Sequence, residues 1–264
     1  GVSSAASDVY KRQEKNAEYR LTIKNVLEFS PEVLQRFVNF MNNPDEDTAE
    51  AQFGKGDKYF GVAVFMATMP GLPMFGHGQV EGFTEKYGME YRRAYRDEQP
   101  DAYLLWRHER EIFPLLHRRR MFSGSRHFAL FDFYAPEGHV DENVFAYTNR
   151  DGDARALVVF NNAYNATRGT VRVSSAINEG SVDAPQLRQW SIGEALGLRA
   201  TDTGYYILRD NISGLEYLHH SNDLCMQGLF LELGTYQSRV FLEWHEVHDL
   251  DLSWAALHLS LIHI

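Results

Sequence analysis

The chain has 264 residues, 44% hydrophobic, 23% charged and 13% aromatic, a globular composition long enough for one large or two ordinary domains. Lys and Arg number 26 against 36 Asp and Glu, a net charge of −10 that argues against nucleic acid as the main partner. No apolar run reaches the ~18 residues of a spanning helix, which excludes an integral helical membrane protein, and the single cysteine, Cys225, forbids an internal disulfide and any Cys-based zinc cluster.

The first thirteen residues, GVSSAASDVYKRQ, have no apolar period and no signal-peptide core. They resemble translated adapter read-through, as do the last six, LSLIHI. Residues 1–13 and 259–264 are therefore expected to be non-native scars, with the natural N-terminus missing. Localisation then stays open, with the cytoplasm as the default.

Residues 17–36 predict helix, interrupted at Ser30-Pro31-Glu32, where Ser suits an N-cap and Pro a first turn. Phe37 to Met41 is a short apolar run before Asn42-Asn43-Pro44-Asp45, which predicts a buried strand ending in a polar loop. Residues 54–69 are apolar on nearly every side, the pattern of a helix packed inside a larger body. Pro70-Gly71 stops it, and Leu72 to Gly76 predicts a second short strand followed by the polar segment His77 to Gly82. Residues 83–102 predict a long loop with one or two helical turns. Residues 103–122 predict an amphipathic helix kinked at Pro114.

After Ser123-Gly124 the pattern changes. HFALFDFY, NVFAYT, ALVVFNN, TVRVSS, GYYILRD, GLEYLHH, GLFLEL and SRVFLEW predict eight strands of an antiparallel sandwich. The predicted fold class is thus α/β followed by all-β: residues 14–123 as the last two strands and helices of a (β/α)8 barrel, and residues 124–258 as the sandwich. Two mostly apolar strands cannot close a barrel, so the first part reads as the end of a bigger α/β domain.

Polar residues just after a barrel strand sit at the mouth where such barrels keep their sites. At these two strand ends the chain resembles the alpha-amylase superfamily (glycoside hydrolase family 13). Phe40-Met41-Asn42-Asn43-Pro44-Asp45-Glu46 is similar to its seventh-strand segment, an aromatic, two residues, then Asn-His-Asp. Pro70-Gly71-Leu72-Pro73-Met74-Phe75-Gly76-His77-Gly78-Gln79 is similar to its eighth-strand segment, Pro-Gly-x-Pro-x-x-x-x-Gly-Glu. Asp141–Tyr147 and Ala156–Asn162 resemble the opening strands of its C-terminal sandwich, so the likeness covers roughly residues 17–250.

The resemblance implies a retaining glycosidase or glucanotransferase acting on α-glucosidic bonds, with no cofactor and no metal. Its partners would be an α-glucan or maltooligosaccharide and the missing part of the same barrel. Such sites use a nucleophilic carboxylate and an acid about 5–5.5 Å apart. In the family these come from earlier strands, so this chain alone is expected to be inactive. Asp45 matches the third acid, which supports transition-state charge. Asn43, His77, Gln79 and Glu81 are the candidate substrate ligands. Pro44 stands where the family has His, and Gln79 where it has Glu. These departures motivate a rival, a non-catalytic carbohydrate-binding or scaffolding protein.

Each candidate also has a plainer reading. Asp45 suits a turn acid capping the next helix, and Glu46 and Asp47 a solvated helix start. His77 suits a core histidine, and Glu81 with Glu85 a solvated loop face beside Lys86. Tyr87, Tyr91 and Tyr95 could stack on sugar or pack the loop. Arg118 to Arg120 read as a solvated helix end. His245 and His248, three apart in a strand, point to opposite faces and make a poor metal pair.

Overall fold

Helix α1 (Asn16–Phe29) forms because Tyr19, Ile23 and Leu27 recur every four residues and turn inward together. The computed structural model describes residues 15–86 and 93–262. Both expected terminal scars lie wholly or partly outside them. Pro31 opens a 3-10 turn over Pro31–Arg36 after an extended Ser30, whose side chain makes no capping hydrogen bond. Strand β1 (Val38–Phe40) follows, then α2 (Ala49–Phe53), α3 (Asp57–Thr68) and β2 (Leu72–Met74). Thr48 caps α2, its hydroxyl accepting the Ala51 N–H at 3.3 Å, so the cap is not Asp45.

β1 and β2 pair in parallel, Val38 opposite Leu72 and Phe40 opposite Met74. A helical crossover joining two parallel strands is a βαβ unit. The expected burial holds for β1 but not for β2, where Leu72 is 62% exposed. Among the described residues nothing pairs with the far edge of β2, and of its three residues Leu72 is exposed while Pro73 and Met74 are half-buried.

Among the described residues of 83–101 no helix forms, which corrects the expected helical turns. Two carboxylates brace that stretch instead. Glu85 accepts the backbone N–H groups of Tyr95 and Arg96, while Glu98 accepts those of Thr84 and Glu85. The predicted long helix is broken into α4 (Ala102–Arg107), a π-helical turn (His108–Ile112), α5 (Phe113–His117) and α6 (Arg119–Ser123). Pro114 in the first turn of α5 has no N–H to give the preceding turn, and the π-helical turn absorbs the missing bond.

Eight strands then form where the sequence places them: β3 (Ala129–Tyr134), β4 (Val144–Asp151), β5 (Ala154–Asn161), β6 (Thr167–Ser174), β9 (Gly204–Asp210), β10 (Glu216–His220), β11 (Leu229–Leu233) and β12 (Ser238–His248). Their order is β10-β9-β12-β5-β4-β3-β6-β11, antiparallel at every step. This is one hydrogen-bonded sheet rather than two facing ones. Residues from both of its ends, such as Leu229 of β11 and Leu208 of β9, share one core, so the sheet curls around its own contents. A small hairpin, β7 (Ile177–Asn178) with β8 (Leu187–Arg188), and three helices, α7 (Ile192–Leu196), α8 (Ser221–Gln227) and α9 (Ser253–Ile262), complete the described chain.

Both faces of the central strands are covered. On β4, Phe145 and Tyr147 face the helices while Val144 and Ala146 face the inside of the curl. That explains why β4 and β5 read as continuous apolar runs without polar alternation. α3 reaches β5 closely enough that a Cβ on Gly61 would stand 2.1 Å from the Phe160 ring. Arg20 of α1, fully buried, donates to the Val144 carbonyl at 2.5 Å and to Asp132 at 2.5 Å, tying the helical half to β3 and β4. Helices and sheet thus share one continuous core across the predicted junction.

Candidate active site

The two loops that leave β1 and β2 meet. Asn43 starts a turn in which its side-chain oxygen accepts the Asp45 N–H at 2.9 Å and its carbonyl accepts the Glu46 N–H at 3.2 Å. Gln52 of α2 holds the far side by donating to the Asp47 carbonyl at 2.6 Å. The turn leaves Asp45 exposed, and among the described residues its carboxylate takes no hydrogen bond or ion pair.

Three contacts join this turn to the loop after β2. The Asn42 side chain lies against Gly76, where an added Cβ would come within 2.4 Å of its oxygen. Gln79 accepts the Gly76 N–H at 3.0 Å and points its NH₂ at the Met41 sulfur, 3.2 Å away. Lys86 donates to the Asp45 carbonyl at 2.9 Å. Gln79 is 3% exposed, so its side chain works inside the protein, holding the loop's shape. His77, beside it, is exposed, with its ring 6.2 Å from that of Phe83. Glu81 is half-buried, and its carbonyl accepts the N–H of Asp101, the residue that caps α4.

Behind the loop lies a buried polar chain. Tyr59 of α3 donates to the Gln79 carbonyl at 2.6 Å and stands 3.2 Å from Nε2 of His108, whose Nδ1 is 2.9 Å from the Leu104 carbonyl. Burial pushes the Tyr59 hydroxyl pKa up and the His108 pKa down, so both are neutral near pH 7.

Sequence reasoning places Asn43, Asp45, His77, Gln79 and Glu81 on this pair of loops. It misses Asn42, Tyr59 and Lys86, whose side chains or amines join the loops. It also misreads Arg119, which is not solvated. Its guanidinium donates to the carbonyls of Ala67 at 2.7 Å and Met69 at 2.8 Å, and to that of Gly71. A run of three arginines gives no sign of which one turns inward. Arg120 is 88% exposed at the side chain and pairs with Asp151. Tyr87 and Tyr91 of the tyrosine series lie outside the described residues, and Tyr95 is 72% exposed. Among the described residues no cluster of His, Cys, Asp and Glu is placed to hold a metal, and no helix is long and apolar enough to cross a membrane.

No protein-family model and no curated protein sequence matches the chain. Solved structures do. A cyclomaltodextrin glucanotransferase with a three-domain ABC distribution aligns over 92% of this chain and 43% of its own, at 15% identity and a TM-score of 0.55. An Anoxybacillus alpha-amylase aligns over 90% of this chain and 45% of its own, at 13% identity and a TM-score of 0.52. A maltogenic alpha-amylase of Thermotoga neapolitana aligns over 87% and 49%, at 13% identity and a TM-score of 0.52. The chain therefore has the fold of part of an alpha-amylase-type structure. It spans less than half the length of each of these three proteins.

Proposed function

We propose that this chain is the C-terminal part of a retaining glycoside hydrolase or glucanotransferase of the alpha-amylase superfamily, acting on α-glucosidic bonds. The observation that carries the reading is the parallel β1–β2 pair with its two strand-end loops joined, Asn42 against Gly76 and Lys86 on Asp45. Asp45, whose carboxylate takes no partner among the described residues, and the exposed His77 stand on these two adjoining loops, which supports the motif resemblance.

In this reading Asp45 faces the sugar ring whose anomeric carbon becomes cationic. Its charge supports the oxocarbenium-like transition state, and hydrogen bonds to ring hydroxyls tighten as that state forms. Asn43, His77 and Glu81 contribute polar contacts to hydroxyls, and Gln79 fixes the loop that carries His77. The nucleophile and the acid/base come from other strands of the barrel, so the chain by itself turns over no glucan.

The test is expression of the whole coding sequence that contains this chain, with maltoheptaose as substrate and proton NMR of the first-formed product. Turnover with retained anomeric configuration is expected. No turnover of any α-glucan removes the enzyme reading, and inversion removes the double-displacement mechanism.

One observation favours a second reading. Pro44 offers no imidazole and Gln79 spends its side chain inside the loop, so two polar contacts of the family pattern are replaced. A non-catalytic carbohydrate-binding protein with this body would bind maltooligosaccharide without turning it over.

A further inference from the structure

Away from the β1–β2 mouth, a cleft of about 1060 Å³ opens between the helical half and the sheet. The 3-10 turn at Pro31 forms one side. The segment Ser125–His127 and Arg150 of β4 form the second, and the β7–β8 region with Trp190 forms the third. None of the residues read as glucan-site candidates lines it.

Its charges are unevenly satisfied. Arg188 is neutralised by Glu194 at 2.7 Å and Glu179 at 3.7 Å. Arg126 and Arg150 are different. Among the described residues neither lies within ion-pair distance of a carboxylate, and Nε of Arg150 is buried without a hydrogen-bond partner. The neighbouring acid, Asp151, is held by Arg120 at 2.7 Å. Glu32, the remaining carboxylate of the cleft, comes from the 3-10 turn and pairs with neither arginine. His127 lines the same cleft, and its pKa is lowered by burial and then by the charges of Arg150 and Arg126, with Asp151 acting the other way. Arg126 is exposed and solvated, so its charge carries no folding penalty; what marks the site is that, among the described residues, two arginines line one cleft and neither is neutralised by a carboxylate.

Trp190 supplies the other half of a site. It is half-buried, and its Nε1–H donates to Glu179 at 2.7 Å, which fixes the indole plane at the cleft wall. A flat aromatic face suits the C–H surface of a pyranose, and guanidinium forks suit phosphate oxygens. The volume is far larger than a phosphate ion needs, which is about the size of a small organic ligand site. We infer that this cleft binds a phosphorylated saccharide, its phosphate on Arg126 and Arg150 and its ring on Trp190. The inference does not depend on the chain's being part of a glucan-active enzyme, because the cleft and the β1–β2 mouth share no residue.

Calorimetric titration of this chain with glucose 1-phosphate, inorganic phosphate and glucose decides it. Glucose 1-phosphate is expected to bind most tightly, inorganic phosphate more weakly, and glucose not at all over the same range. Arg126→Gln, at an exposed position where folding is not at stake, weakens both phosphate ligands roughly tenfold, as loss of one charged hydrogen-bonding partner does. Arg150→Gln does the same. Trp190→Ala weakens glucose 1-phosphate and leaves inorganic phosphate unchanged. Absence of glucose 1-phosphate binding, equal binding of glucose, or unchanged affinity in Arg126→Gln would each overturn the inference.

Discussion

The side chain of Asn42, at the end of β1, lies across the backbone of Gly76, at the end of β2. A Cβ at Gly76 would stand 2.4 Å from the Asn42 oxygen and 2.5 Å from its nitrogen. Glycine is needed here for close approach, and Asn42 is itself 5% exposed, so it has little room to withdraw. Gly76→Ala is expected to destabilise the chain by about 1–3 kcal/mol, the usual cost of overpacking, read as a lower thermal midpoint. Adding Asn42→Ala should recover part of that loss. Strict additivity of the two substitutions would show that the contact is not the cause.

Gln79→Glu restores the residue of the family pattern but not the local chemistry. The NH₂ group now aimed at Met41 would become a carboxylate oxygen in a buried, apolar setting. Burial raises the pKa of such a group, so its cost appears as pH rises above the ordinary carboxylate value. The variant should therefore be less stable than wild type at pH 7 and closer to it at pH 4.5, by urea denaturation. An equal deficit at both pH values would refute this.

Among the described residues the Asp45 carboxylate has no partner to lose. Asp45→Asn should leave the unfolding free energy of this chain within about 0.5 kcal/mol of wild type in urea denaturation, as an exposed substitution does. Under the proposed glucan-active reading, the same change in the full coding sequence should lower kcat by orders of magnitude with little change in KM, because charge support acts in the transition state. A rise in KM alone would assign Asp45 to ground-state binding.

Arg119 clamps the passage from α3 to β2 through three backbone carbonyls. Burial pushes its pKa down to about 10, still well above neutrality, so it stays charged. Arg119→Ala strands those carbonyls and should cost about 2–4 kcal/mol in urea unfolding. Arg119→Lys keeps the charge, but a single ammonium cannot fork across three acceptors, so it should fall between. A lysine variant as stable as wild type would show that charge alone suffices.

Acid should weaken the fold in two stages. Burial lowers the pKa of His108, and burial followed by the Arg150 and Arg126 charges lowers that of His127. Burial, with His258 adding to it, pushes His219 down to about 4. The unfolded chain protonates these side chains near pH ~6.5 while the folded chain resists, so stability falls as pH drops from about 6.5 toward 4. His219 is only half-buried, and solvent screening keeps its share on the order of 1–2 kcal/mol. Asp101, held low by the Leu104 N–H and then Lys55, and Glu194, held low by the Ser191 N–H, act later. Their stabilisation is present above the ordinary carboxylate pKa and is lost as pH falls through the lowered values. His219→Gln should flatten the first stage and leave the second. An unchanged slope between pH 6.5 and 4 would remove His219 from the account.

Much of the element order is legible in the sequence. Pro70-Gly71 marks the end of α3, and the alternating aromatic and β-branched runs mark all eight strands of the large sheet. Local signals suffice there because turn chemistry and apolar period act over a few residues. The 83–101 region misleads because its charged and aromatic residues carry no period. The paired braces of Glu85 and Glu98 depend on residues ten or more apart. The same holds at the mouth. Asn43, Asp45, His77, Gln79 and Glu81 stand out by their place after strands, whereas Asn42, Tyr59 and Lys86 matter only through partners distant in the chain.

The sequence by itself determined where the chain bends, which runs become strands and which two loops carry polar tips, since each follows from neighbours within one turn or one pleat. Tertiary structure alone decided that the eight strands form one curled sheet rather than two stacked ones. It also decided that Gln79 faces inward while His77 faces out, and that Arg126 and Arg150 share a cleft with Trp190. Those outcomes depend on which distant surfaces exclude water together, and no local pattern encodes that.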